Sequence, residues 1–391
     1  MFTASDQRAL RAVAVQFFVN GAIFASFIPR LPEIRDRVDI SVAEIGLLMS
    51  IAGVSGLVGS AVVGPAVSRF GTRLVMLVAG ALTALSLPVI GVARAPWVLL
   101  VGLIALQTFD VLMDVAMNLQ GSWLSARRHT PVMTRLHGLW SLGTVIGGVS
   151  ASRVAAAGIS LSTHLVCAAA ILLAALGFAS RGLLRVDEHS GSESTEAPAQ
   201  TIPNGRRVSP VLAAFLLVGF FSIALESTAI DWAAFRLTDD FSASTGLAAL
   251  GYVAVATGMT AGRFTGDLIA ARLGGSRLLS MSTIMTGGGL AAATLTPDQT
   301  VTLIGYAIAG LGVANLSPIL YDAAAQHPGR PGAGLGALTA GLRAAFLTIP
   351  LLVGTLAASR LSVGSAIAVV TLPSFIGFLA MTGLISRVRS S

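Results

Sequence analysis

Apolar stretches of about twenty residues recur along the whole chain, and each is long enough to cross the hydrocarbon core of a bilayer as a helix. They fall near 11–30, 43–66, 73–93, 97–121, 135–157 and 162–184, then near 209–235, 244–269, 277–296, 299–322, 333–358 and 362–386. No water is available at membrane depth, so each backbone polar group must be paired internally, and only helices or a closed barrel satisfy that. Segments this long and this apolar are helices. Hydrophobic residues make up 54% of the chain and charged ones 11%, with a mean hydropathy of +0.82. Soluble domains are roughly a quarter charged.

The expected architecture is an all-α membrane protein of twelve transmembrane helices, in two pseudo-symmetric six-helix bundles around a central cavity. Residues 1–184 form the first bundle and 209–391 the second, joined by a polar linker at 185–208 rich in Ser, Glu, Pro and Gly. Arg69-Phe70-Gly71 in the first half is echoed at the same place in the second by Arg272-Leu273-Gly274. Arg8 and Arg11 ahead of the first apolar run resemble the start of a secretory signal. The run continues to Ile28 and many more spans follow, so it reads as a first membrane helix, uncleaved.

The formal net charge of +7 does not point to nucleic acid, because the basic residues sit in short connectors between spans. All 25 are arginine. The absence of lysine excludes a Walker A loop and lysine Schiff-base chemistry. With both termini in the cytoplasm, sixteen arginines fall on the inner side and seven on the outer, leaving Arg263 and Arg343 within helices. That asymmetry supports a multi-pass protein of the cytoplasmic membrane with both ends inside. Cys167 is the sole cysteine, so no intramolecular disulfide forms. No cofactor is implied, and no Cys/His cluster supports a metal.

Gln107, Asp110, Asp114 and Asn118 recur every three or four positions on one apolar segment and therefore share a helix face. A carboxylate at the centre of a membrane helix costs roughly 2.5–3.5 kcal/mol on insertion scales, which directs both acids to a protein-lined, watery cavity. They are about 6 Å apart along the axis, near enough to disfavour simultaneous ionisation, and one is expected to exchange protons. A pathway for a small solute coupled to protons is the leading reading. His137, near the cytoplasmic end of the fifth helix, is a candidate relay.

Glu226 and Arg343 lie too deep for water and must be paired or face the cavity; Asp322 is a candidate partner for Arg343. Gln16, Asn20, Trp140, Ser141 and Asn315 complete an expected lining suited to a small polyhydroxylated or zwitterionic solute. Asp231 is a weaker candidate, because Trp232 beside it resembles an outer interfacial anchor. Ser317-Pro318 and Pro350 are expected to loosen their helices, and Gly143, Gly147 and Gly148 to allow close packing.

Gly64-Pro-Ala-Val-Ser68-Arg69-Phe-Gly71-Thr-Arg73 resembles the loop signature G-x-x-x-D-R-x-G-R of the major facilitator superfamily, with Ser68 in place of the acid. Arg263, Asp267, Arg272 and Gly274 resemble the related loop of the second half. The resemblance spans essentially the whole chain and implies cytoplasmic latch loops carried by Arg69, Gly71, Arg73, Asp267 and Arg272, and a protein working as a single chain. Asp114-Val-Ala-Met-Asn118 with Leu136-His137-Gly-Leu-Trp140-Ser141-Leu-Gly143 is similar to the fucose-permease group of proton-coupled symporters and their uncharacterised inner-membrane relatives. It implies that Asp114 is the protonatable carboxylate of the fourth helix. The first helix has no acid before Glu33, unlike fucose permease, so fucose is not implied. A proton-coupled exporter is the competing reading; such exporters carry a Gly-Pro pair in the fifth helix, and here Gly143-Thr-Val-Ile-Gly147-Gly148 has no proline. Enzyme chemistry lacks any nucleophile, base and orienting group at recognisable spacing.

Overall fold

Side-chain caps set where several helices of the computed structural model begin. Thr3 and Asp6 close a capping box on α1 (Ala4–Phe27), and Ser41 and Glu44 close another on α3 (Val42–Val92). Between them lies the short α2 (Leu31–Val38). Then follow α4 (Pro96–Arg128), α5 (Met133–Ala156) and α6 (Leu161–Ala179). The second half holds α7 (Pro210–Phe235), α8 (Thr245–Leu273), α9 (Gly275–Leu295), α10 (Gln299–Val313), α11 (Leu316–Ala325), α12 (Ala333–Ala357) and α13 (Val363–Ser390). The structure describes residues 3–128, 132–184, 209–327 and 332–390, the side chains of 386–390 excepted; the expected linker at 185–208 lies outside them.

Gly71 divides α3 into two legs, with φ 74° and ψ 155°. Gly274 ends α8 with φ 87° and ψ 152°. Only glycine adopts that region freely, so the repeated Arg-x-Gly triplets mark one sharp turn made twice. Among the described residues ten helical stretches are long and apolar enough to cross a membrane, and the two legs of α3 make eleven crossings. The expected twelfth, α5, has the length at 24 residues but carries Arg135, His137, Arg153 and several serines and threonines, so it falls short on apolarity. Pro318 has no N–H for the carbonyl of Ala314, and the helix breaks there into α10 and α11. Pro350 leaves α12 continuous.

Within the first half α1 packs on α5 and α6, and α3 on α4 and α6; within the second, α7 packs on α12 and α13, and α10 on α8 and α9. Across the halves the pairing is reciprocal: α8 meets α5, and the first leg of α3 meets α12. The second helix of each half thus lies against the fifth of the other. Each half is also tied by a buried arginine just beyond its first helix. Arg30 binds Glu33 through two nitrogens, the Ile159 carbonyl and His164 Nδ1. Arg236 binds Asp240 and the Thr296 carbonyl, and Asp240 accepts from the first backbone N–H groups of α13. The outward faces remain apolar, with Ile171, Phe178, Ile284 and Leu372 exposed, as lipid contact requires.

Candidate functional site

A cavity of about 420 Å³ lies between the two halves. α4 supplies Gln107, Asp110 and Asp114, each one turn from the next, and α1 supplies Asn20. His137 and Trp140 enter from α5, Glu226 and Asp231 from α7, and Tyr252 and Arg263 from α8. Met49, Phe24, Phe346 and other apolar side chains fill the remaining wall.

The polar groups form a connected chain across the cavity. Asn20 Nδ2 donates to Asp110 Oδ1 at 2.6 Å, and Asn20 Oδ1 accepts from Trp140 Nε1 at 2.8 Å. The Arg263 guanidinium lies 4.9 Å from the centre of the Trp140 ring and donates to Ser141 Oγ at 2.7 Å. Arg263 also stands within electrostatic reach of Glu226. A carboxylate of one half is therefore linked through an amide and an indole to a cation of the other. Asn118 lies one turn past Asp114 and donates to its Oδ1 at 3.0 Å. His137 packs edge-on against Phe17 with ring centres 5.1 Å apart.

Not every expected residue reaches the cavity wall. Gln16 is fully buried in α1, with its amide atoms unpaired among the described residues and away from the lining. Asn315 sits at the α10–α11 break, its amide pressed against Gly266 of α8. Ser141 and Asn118 act behind the wall through Arg263 and Asp114. Arg343 lies outside the lining beside Gly56; it acts electrostatically on Asp110 and Asp114, and no ion pair joins it to the exposed Asp322 among the described residues.

Two lining residues, Arg263 and Tyr252, had no place in the expected site, and Asp231 had only a minor one. Arg263 resembled part of a loop signature, yet it lies about three turns before the Gly274 turn and lines the cavity. Trp232 is no interfacial anchor, being 0% exposed, and its neighbour Asp231 opens onto the cavity. Tyr252 gave no polar periodicity to read. Among the latch residues, Arg73 donates to the Ser180 carbonyl at 3.1 Å and Arg69 lies over the Phe70 ring. Asp267 and Arg272 are exposed and make no ion pair among the described residues.

The end of the molecule away from Gly71 and Gly274 is pinned shut. Arg35 of α2 grips both oxygens of Asp239 at 2.6 and 2.9 Å, lies over the Phe235 ring, and so joins the halves. α3 and α12 meet near that end, Gly46 against Pro350 and Gly53 against Phe346. Toward the other end Gly64 and Gly336 face open space.

Two helical halves paired reciprocally about a charged central cavity, with a repeated glycine turn, have the build of a membrane transporter. The chain belongs to the Major Facilitator Superfamily, whose family model matches residues 13–340. It is similar to an uncharacterized MFS-type transporter of Yersinia pestis, 27% identical over 318 residues that cover 81% of this chain and 80% of that one. The membrane protein MosC of Rhizobium meliloti is also 27% identical, over 81% of this chain and 75% of its own. Among solved structures, a variant of the nucleoside transporter NupG superposes with a TM-score of 0.75 at 13% identity, over 95% of this chain and 99% of that one. A bacterial homolog of the human lysosomal transporter Spinster, inward-facing and occupied, gives 0.67 at 15% identity, over 98% and 97%. At such identities the likeness is one of fold. The chain is a multi-pass secondary transporter rather than an enzyme.

Proposed function

We propose that this transporter carries a small polar solute together with protons, by rocking the bundles 1–184 and 209–391 about the central cavity. The observation that supports this most is the placement of Asp110 and Asp114 on the cavity wall, without an ion-pair partner among the described residues. An acid so placed can take a proton from one side and release it to the other. Asp114 is the first choice for the proton carrier and Asp110 the second, with His137 as relay toward the cytoplasm. Likeness to the fucose-permease group favours symport. Glu226 and Arg263 shape the charge around the solute. The Gly71 and Gly274 turns, with Arg69, Arg73, Asp267 and Arg272, form the cytoplasmic gate. Both termini lie in the cytoplasm and the protein works as a single chain in the cytoplasmic membrane.

Proteoliposomes with an imposed pH gradient, screened against sugars, amino acids and vitamins, test the reading. A solute is expected to accumulate uphill in the direction of proton flow. Asp114→Asn is expected to abolish that accumulation while solute exchange persists. Uphill uptake by the mutant would remove Asp114 from the mechanism, and accumulation against the direction of proton flow would mark an antiporter.

A further inference from the structure

The end of the cavity nearest the Arg35–Asp239 clasp holds a second group of acids that proton carriage by α4 does not use. Glu226 and Asp231 both face the cavity from α7, and neither forms an ion pair among the described residues. Ser227 donates to Asp231 Oδ2 at 2.5 Å, and Oδ1 has no hydrogen-bond partner among the described residues. Tyr252 lines the same space from α8, within electrostatic reach of Asp231. The residue is 1% exposed and lines the cavity, and no hydrogen bond joins its hydroxyl to another of the described residues; the hydroxyl is not fully enclosed, so it is open to a ligand in the cavity. A buried carboxylate with no cation beside it is costly, and Asp231 has only Ser227 and the like-charged Glu226 acting on it. Arg263 stands within electrostatic reach of Glu226 and Tyr252, but its guanidinium lies over Trp140 and donates to Ser141, and it does not act on Asp231.

We propose that Asp231 Oδ1, Glu226 and the Tyr252 hydroxyl form a seat for the ammonium group of an amine-bearing solute. An ammonium has three donors and no acceptor, and here it meets three acceptors within an apolar and aromatic wall. The volume suits a small molecule. The solute's amine thus lies apart from the α4 acids that hold the proton, so both cargoes can ride together. This rests on the transport reading above and narrows it to primary amines.

Binding to the purified full chain in lipid nanodiscs decides the matter, measured by equilibrium dialysis with glucosamine, tyramine, histamine and putrescine. Each amine is paired with its N-acetylated, uncharged form at the same nitrogen. At least one amine is expected to bind tenfold or more tightly than its acetylated partner. Asp231→Asn is expected to remove that preference and Tyr252→Phe to weaken amine binding about tenfold, the scale of a lost hydrogen bond to a charged group. Asp322→Asn, at an exposed acid outside the lining, is expected to keep the preference. Equal binding of the paired forms, failure of every amine to bind, or an undiminished preference in both Asp231→Asn and Tyr252→Phe would overturn the seat. Proton-driven uptake of a neutral solute that is intact in Asp231→Asn would also overturn it, while leaving the transport reading standing.

Discussion

Both ends of the Asn20 amide are engaged, one by a carboxylate and the other by an indole, so this side chain fixes Asp110 and Trp140 at once. Asn20→Ala leaves the Trp140 Nε1 donor without its acceptor, a loss of about 1–3 kcal/mol for a buried group. Trp140→Phe removes the same bond from the other side. The double mutant is therefore expected to be no less stable than the worse single mutant, within a few tenths of a kcal/mol, in thermal unfolding of the purified protein. Strict additivity would mean that the contact contributes nothing. At this scale the α4 acids were legible because polar residues repeated at helical spacing on an apolar segment must turn together toward protein or water, away from lipid. Arg263 was not, since a lone arginine before a glycine turn reads equally well as a loop cation; only the α8–α5 packing shows that it spans the interface. Gln16 and Asn315 failed for the opposite reason. Their polarity was visible, but which face of the helix met a neighbour was not.

Helix spans were readable from apolar length and the turns between them from glycine. Gly71 and Gly274 occupy a backbone region nearly closed to other residues, where a side chain costs of order 1–3 kcal/mol. Alanine at either is expected to lower the melting temperature, whereas Gly275→Ala, facing open space at ordinary φ, should not. Equal effects at 274 and 275 would contradict the role given to the turn. Packing between elements was only partly legible. A Cβ on Gly143 would collide with the Phe18 carbonyl, so α1 and α5 touch backbone to backbone. Gly143→Leu must separate them and is expected to abolish recovery of folded protein, read by size-exclusion profile. The break between α10 and α11 followed from Pro318, yet Pro350 left α12 unbroken. Proline identity alone does not fix where a membrane helix opens, because neighbouring groups can satisfy the freed carbonyl.

For the whole molecule, the Arg35–Asp239 clasp joins the halves at one end while Gly64 and Gly336 stand free toward the other. Reversal of one charge, Arg35→Asp, places two acids face to face and is expected to favour opening at the clasped end. A cysteine at Ile230, on the cavity wall, should then react faster with an impermeant thiol reagent applied outside intact cells. Adding Asp239→Arg should return the rate toward the starting value; no change in either variant would show that the clasp does not hold the gate. The repeated triplet signalled a two-fold repeat, but not which helices pair across the halves, nor the clasp, since exposed charges in a short connector carry no sign of their partner. The proposed proton coupling depends on the α4 acids facing water between the halves, and a cysteine in place of Asp114, with Cys167→Ser, measures that most directly. Rapid labelling at 114 by a small charged thiol reagent, with Met113→Cys inert on the buried face of the same helix, is the expected result; an unreactive cysteine at 114 would contradict it.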